Sequence, residues 1–367
     1  MSSNRRSWLK QIGLGVAGLT ISRLETIASP SHSFTREFIV DKPIRLSSNE
    51  NPYGPSPLAR KAMADHLLES NRYGGARTNE LVSAIAQKYD LTGDNVLMGA
   101  GSTEILDIVA RYSALKGGSF VIPVPTFAFW ADMIEKTGFK KITVPLTADK
   151  KIDLPAMMAA IQDDTRLVYI CNPNNPTGTM LERDKLVEFV KKISEKSLVL
   201  VDEAYIDFTE QPSLCSLVAE HRNIIIAKTF SKIYGMAGAR VGYALAHKDT
   251  INDISQVTTW VNGSCSVPSV AAAIASLKDE KFVKETYAKI HEVRKYTIGE
   301  MEKLNIRCIP SNTNFIYFTL ADYKKDYFDL LKRNSIWGTG IYEEEGKWSR
   351  ITVGTKEEMQ QFIRILS

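Results

Sequence analysis

A lysine directly after an apolar run, between hydroxyls and ahead of a glycine-rich turn, is the first feature of this 367-residue chain suited to chemistry. Residues 227–243 read AKTFSKIYGMAGARVGY and hold Thr229, Ser231, Lys232, Gly235, Gly238 and Arg240. A partly desolvated amine forms a Schiff base with a carbonyl, hydroxyls and a guanidinium hold a phosphate, and glycines permit close backbone approach. Together these parts suit a phosphate-bearing aldehyde. The segment by itself reads equally well as a surface lysine beside a glycine loop.

Three further segments point to the same chemistry. Residues 198–205, LVLVDEAY, end an apolar run with Asp202, Glu203 and Tyr205. A carboxylate there suits a protonated ring nitrogen, and Tyr205 suits a phenolate oxygen on that ring. Residues 172–178, NPNNPTG, form a turn-rich stretch in which Asn175 offers a second bond to the same oxygen. Residues 99–104, GAGSTE, place Gly101, Ser102 and Thr103 where a turn opens a helix, whose free N–H groups favour a phosphate. Each segment alone also fits an ordinary cap, ion pair or loop. All four stand at the ends of apolar runs, where chance caps and loops would not be expected to gather.

The positioning elements follow from the apolar pattern, which predicts strands at 95–98, 120–122, 142–144, 167–171, 198–201, 224–227 and 241–246. Predicted helices at 104–112, 128–136 and 184–194 lie between many of them. Apolar runs bounded by helices imply strands covered on both faces, so the fold class is α/β with an open, mostly parallel seven-stranded sheet. Ligands of such sheets sit at the carboxyl ends of the strands. Beyond residue 253 the rhythm changes to a long charged helix at 279–305, a strand at 314–318, a helix at 325–333, a strand at 350–353 and a final helix from 357. The expected organisation is an export signal at 1–28, an extended arm at 29–56, a large domain at 57–252 and a small α+β domain at 253–367.

Bulk properties narrow the partners. The formal charge is +4, of which Arg5, Arg6, Lys10 and Arg23 against Glu25 put +3 in the first 28 residues. A nearly neutral remainder argues against a nucleic-acid surface. Cys171, Cys215, Cys265 and Cys308 are spread through apolar or small-residue contexts, which predicts packing thiols with neither a disulfide framework nor a metal site. Five scattered histidines add no cluster. At the N-terminus a charged head, an apolar stretch at 12–21 and a small-residue exit make the three-part layout of an export signal. Its Asn4, Arg5, Arg6, Ser7, Trp8, Leu9 and Lys10 resemble a twin-arginine signal, with Trp8 where Phe is usual. Periplasmic placement through the twin-arginine machinery is therefore expected; the alternative is an ordinary N-terminal tail on a cytoplasmic protein.

Taken in order and spacing, the motifs resemble the fold type I pyridoxal-phosphate aminotransferases, and most closely their histidinol-phosphate branch. The likeness runs from residues 48–54, SNENPYG, to residues 350–354, RITVG. It implies pyridoxal 5'-phosphate as cofactor, Lys232 as the Schiff-base lysine and proton carrier, Asp202 at the ring nitrogen, and Tyr205 with Asn175 at the ring oxygen. It implies Gly101, Ser102, Thr103, Thr229, Ser231 and Arg240 around the phosphate, and Phe127 stacked on the ring. Tyr73 matches a tyrosine that reaches the neighbouring subunit's cofactor, so a homodimer with shared sites is implied. Arg350, Tyr53 and Asn51 fall on substrate-binding positions. The reaction implied is amino transfer between an amino acid, or a histidinol-phosphate-like amine, and a 2-oxo acid.

The match departs from that branch at Thr319 and Thr339, where arginines are common. Losing two guanidinium groups removes charge that a phosphomonoester needs, so a free amino acid is the expected donor. Trp130, Trp337, Tyr53 and Phe315 are candidates for an aromatic side-chain pocket or for core. Two other readings use the same residues: a decarboxylase of the phosphothreonine type, and an exported protein that keeps the cofactor pocket without turnover.

Overall fold

The computed structural model describes residues 43–367, which cluster as one compact unit. The export-signal reading and the arm up to residue 42 lie outside the described residues. The main sheet is built from β2 (Val96–Gly99), β3 (Ser119–Val124), β4 (Lys140–Pro145), β5 (Thr165–Cys171), β6 (Leu198–Asp202), β7 (Ile224–Thr229) and β8 (Gly242–Ala246), in the order β2-β8-β7-β6-β5-β3-β4. β8 runs antiparallel to both neighbours and the remaining pairings are parallel, as expected of an apolar-run α/β chain.

Because successive side chains of a strand alternate in direction, the two sheet faces carry separate cores. Leu200, Tyr169, Cys171, Ile225 and Ala227 pack with helix Ser102–Ala114 on one face. Val199, Val201, Ile224, Ile226 and Ile170 pack on the other with helices Gly75–Lys88 and Arg183–Ser194. That second core continues without a break into Phe315 and Ile351 of the smaller C-terminal sheet and Phe362 of the last helix, Lys356–Leu366.

The small sheet has the order β12-β13-β10-β9, from β9 (Cys308–Ile309), β10 (Phe315–Thr319), β12 (Ile341–Glu343) and β13 (Trp348–Thr352), all antiparallel. The arm contributes β1 (Ile44–Arg45), paired in parallel with β11 (Ile336–Trp337), which draws residues 46–51 across the sheet ends. Helix Val267–Leu277 went unforeseen and packs on helices Pro57–Asp65 and Gly75–Lys88. It is buried almost all round, so it lacks the polar face that makes a helical period legible. All four cysteines are free, with Cys171 and Cys308 buried.

Candidate active site

A cleft of about 580 Å³ opens at the carboxyl ends of β5, β6 and β7 and gathers Lys232, Asp202, Tyr205, Asn175, Thr229, Ser231, Arg240, Arg350, Ser102, Thr103 and Phe127. These residues are spread over 250 positions of chain, and the parallel strand ends bring them together. Asp202 is the last residue of β6, Thr229 the last of β7, and Ser102 and Thr103 open a helix whose cap, Gly101, offers no side chain.

The cleft floor holds a carboxylate without a cation. Asp202 is 2% exposed and, among the described residues, accepts only from the Tyr169 hydroxyl (3.2 Å) and the Ala204 N–H (3.0 Å). Burial raises its carboxyl from the usual 3.8 to about 6. Opposite it, burial lowers the Lys232 amine from 10.5 to about 8, with the Arg350 charge adding to the effect. Lys232 Nζ rests 3.4 Å from the Ser48 and Asn49 carbonyls and over the Tyr205 ring at 5.5 Å. An amine at that value is partly neutral near pH 7, which suits both a nucleophile and a proton carrier.

Tyr205 and Asn175 each retain a donor. The Tyr205 hydroxyl accepts from Asn49 Nδ2 at 2.9 Å, which leaves its own proton free to donate. Asn175 Oδ1 accepts from Arg350 Nη1 at 2.5 Å, leaving its amide nitrogen for the cleft. Arg350 also donates to the Ser47 carbonyl at 2.7 Å, so among the described residues two of its five N–H groups have partners and its Nε has none.

At the other end, Arg240 adopts a left-handed conformation and donates to the Ala100 and Ala237 carbonyls, both at 2.9 Å. Ser231 Oγ lies 3.5 Å from it and 2.9 Å from Thr229 Oγ1. The close approach demands glycine: a Cβ on Gly101 (φ +81°) would stand 2.3 Å from Arg240 Nη2, and one on Gly235 (φ +70°) 2.0 Å from the Gly54 carbonyl oxygen.

Three expected site residues stand outside the cleft. Asn51 is buried and its amide bonds the Ile233 carbonyl at 2.9 Å while its Oδ1 accepts from the Tyr53 N–H, so it holds two backbone segments together. Tyr53 lies under Lys289, whose Nζ is 5.1 Å from its ring. Tyr73 is 93% exposed, edge-on to Trp260, away from this chain's own cleft. Of the aromatics read as either pocket lining or core, Trp130, Trp337, Tyr53 and Phe315, none lines the cleft. Trp130 packs in the core against Phe120 and Tyr169, and Phe315 lies behind Tyr205 and Arg350.

Sequence reasoning passed over Asn49, Tyr169 and Tyr342. Asn49 is buried at φ +52° and bonds Tyr205 and Thr352, 156 and 303 residues away. An asparagine in a chain bend is the local signal, since it tolerates that conformation. Tyr169 was a polar hydroxyl in a wholly apolar run, a group that requires a buried partner.

These donors and acceptors fit pyridoxal phosphate. The unpaired buried Asp202 suits a protonated ring nitrogen, the free donors of Tyr205 and Asn175 suit a ring oxygen, and the Gly101 turn with Arg240 suits a phosphate. The profile of the family described as aminotransferase class I and II matches residues 41–366. A histidinol-phosphate aminotransferase of Moorella thermoacetica is 36% identical over 342 residues, 92% of this chain and 88% of its own. An aromatic amino acid aminotransferase of Cutibacterium acnes is 33% identical over 329 residues, 88% of this chain and 92% of its own. The solved structure of the Sinorhizobium meliloti histidinol-phosphate aminotransferase in complex with pyridoxal-5'-phosphate superposes with a TM-score of 0.81 at 27% identity, over 89% of this chain and 90% of that one. The chain therefore belongs to the class I and II aminotransferases and is a pyridoxal-phosphate-dependent transaminase.

Proposed function

We propose that this transaminase takes its amino group from a free amino acid whose carboxylate meets Arg350, and passes it to a 2-oxo acid. When bound, pyridoxal phosphate supplies the electron sink for charge left on the donor's α-carbon. With the cofactor bound, Lys232 Nζ would serve as the proton carrier for that α-carbon. Asp202 holds the ring nitrogen protonated, Tyr205 and Asn175 donate to the ring oxygen, and Phe127 covers the ring. Ser102, Thr103, Thr229, Ser231 and Arg240 hold the phosphate.

The cation count of the cleft carries the choice of donor. Its lining contains Lys232, Arg240 and Arg350 against Asp202 and Glu50. With Arg240 on the cofactor phosphate and Lys232 moving protons, one guanidinium remains, which matches the single charge of a carboxylate better than the double charge of a phosphomonoester. Thr319 and Thr339 do not compensate: their hydroxyls bond the Gly346 and Arg350 carbonyls.

The assay adds single amino acids, and separately histidinol phosphate, to the purified holoenzyme and follows the cofactor's visible absorbance. A change with free amino acids at millimolar concentration and none with histidinol phosphate is expected; the reverse pattern overturns the reading.

We also propose a homodimer, exported by the twin-arginine route. Leu68, Tyr73 and Trp260, at 91%, 93% and 85% exposed, make an apolar surface that a second copy would cover, with Tyr73 reaching the partner's cleft. The Asn4–Lys10 sequence supports export.

A further inference from the structure

The cleft wall beside Arg350 is made by a residue that reaches it through an irregularity in the small sheet. β12 pairs with β13 so that Ile341 faces Ser349 and Glu343 faces Trp348, which leaves Tyr342 as the extra residue of a bulge. Bulges re-aim a side chain, and this one turns Tyr342 into the cleft lining. Its ring lies 5.4 Å from Arg350 Cζ, with Phe315 at 5.3 Å from the same carbon. The guanidinium therefore has two aromatic neighbours.

Tyr342 is firmly backed. The next residue, Glu343, accepts from the Tyr317 hydroxyl at 2.6 Å and pairs with Lys150 Nζ at 2.8 Å, from the loop after β4. Lys150 also sits 4.8 Å over the Trp348 ring, which stacks on Tyr317 at 5.3 Å; Tyr317 in turn meets Tyr342 edge-on at 6.1 Å. Phe127 and Phe129, the latter 69% exposed, line the same cleft. Tyr342 itself is 42% exposed, so its ring still has surface to offer.

We propose that Tyr342 is a specificity-determining residue, and that the side chain it packs against is a planar aromatic one. A donor whose carboxylate meets Arg350 places its side chain beside the ring that flanks that arginine. Offset or edge contact between two rings favours an aromatic side chain over a methyl group. This rests on the free-amino-acid reading above.

The test measures kcat and KM for phenylalanine, tyrosine and alanine as donors, in the wild type, Tyr342→Leu and Tyr342→Ala. Removing the ring should lower kcat/KM for the aromatic donors about tenfold, mostly through KM, and for alanine less than about threefold. Tyr342→Leu keeps bulk in the bulge and serves if the alanine variant fails to fold; retained cofactor absorbance confirms an intact site. An equal loss for alanine overturns the proposal and leaves Tyr342 as a support for Arg350, as does no loss for any donor. If the wild type accepts histidinol phosphate and no free amino acid, the donor reading itself fails and this inference falls with it.

Discussion

The ends of β6 and β7 present the same two residue types on opposite faces. On the cleft side stand Asp202 and Lys232; behind the sheet stand Glu203 and Lys228. Glu203 accepts from the Ser213 hydroxyl, the Leu214 N–H (2.8 Å) and Lys228 Nζ (3.3 Å), so its oxygens are fully engaged. Burial opposes the Lys228 charge, but the Asp207 and Glu203 carboxylates outweigh it and hold that amine above the ordinary lysine value. In front, Asp202 has no basic side chain within salt-bridge distance among the described residues, and Lys232 is pulled down to about 8. One side has satisfied its charges and the other has left them for a ligand. At the end of β6 structure and chemistry stand a single residue apart, whereas Lys228 lies within β7 and Lys232 in the turn that follows it.

The largest break in this comparison comes from the front lysine. Lys232→Ala should cut turnover by about 10⁴-fold or more, since one amine serves as both nucleophile and proton carrier. Single-turnover absorbance is the measure, with the melting temperature expected to hold or rise because a desolvated amine is removed. Turnover within about tenfold of wild type would contradict the assignment.

The back lysine should do the opposite. Lys228→Met strands a buried Glu203 carboxylate, and breaking such a pair costs about 3–5 kcal/mol. Urea unfolding should show that loss, and Lys228→Met combined with Glu203→Leu should recover part of it. A single variant as stable as the wild type would mean that the pair contributes nothing to the fold.

The front of this arrangement was legible from the sequence, because the runs 198–205 and 224–232 carry it in contiguous residues: an apolar strand, then the polar group at its carboxyl end; the Glu203–Lys228 pair behind the sheet was not, since it joins two strands 25 residues apart. The seven strands were legible for the same reason, each being a short apolar run between helices. What escaped depends on distance along the chain or on shortness. Asn49 acquires its role by meeting Tyr205 and Thr352, which no local pattern announces. Tyr342 enters the cleft through a bulge in a three-residue strand, too short for a period to show. Helix Val267–Leu277 had a readable start in Ser266, which caps the Ser269 N–H, followed by Pro268 in the first turn. Its all-apolar body masked that signal. Asn51 and Tyr53 were drawn toward the site by their place in a motif, whereas their side chains bind locally to backbone and to Lys289.

Asp202 sharpens the comparison with the smallest shift and the most informative sign. Its folded carboxyl binds a proton up to about pH 6, whereas the ordinary value is 3.8, so between those values the folded chain holds more protons than the unfolded one. Stability of the cofactor-free chain therefore falls as pH rises from about 4 to 6 and stays reduced above it, by an amount on the order of 1–3 kcal/mol. Asp202→Asn keeps the shape and removes the charge, so at pH 7 the cofactor-free variant should unfold at higher urea than the wild type, and the two should converge below pH 4. In the holoenzyme the same change should slow turnover about 10²-fold, because the ring nitrogen loses its anionic partner. A variant less stable at pH 7 would mean that Asp202, like Glu203, is a satisfied structural carboxylate, and the division between the two faces would not hold.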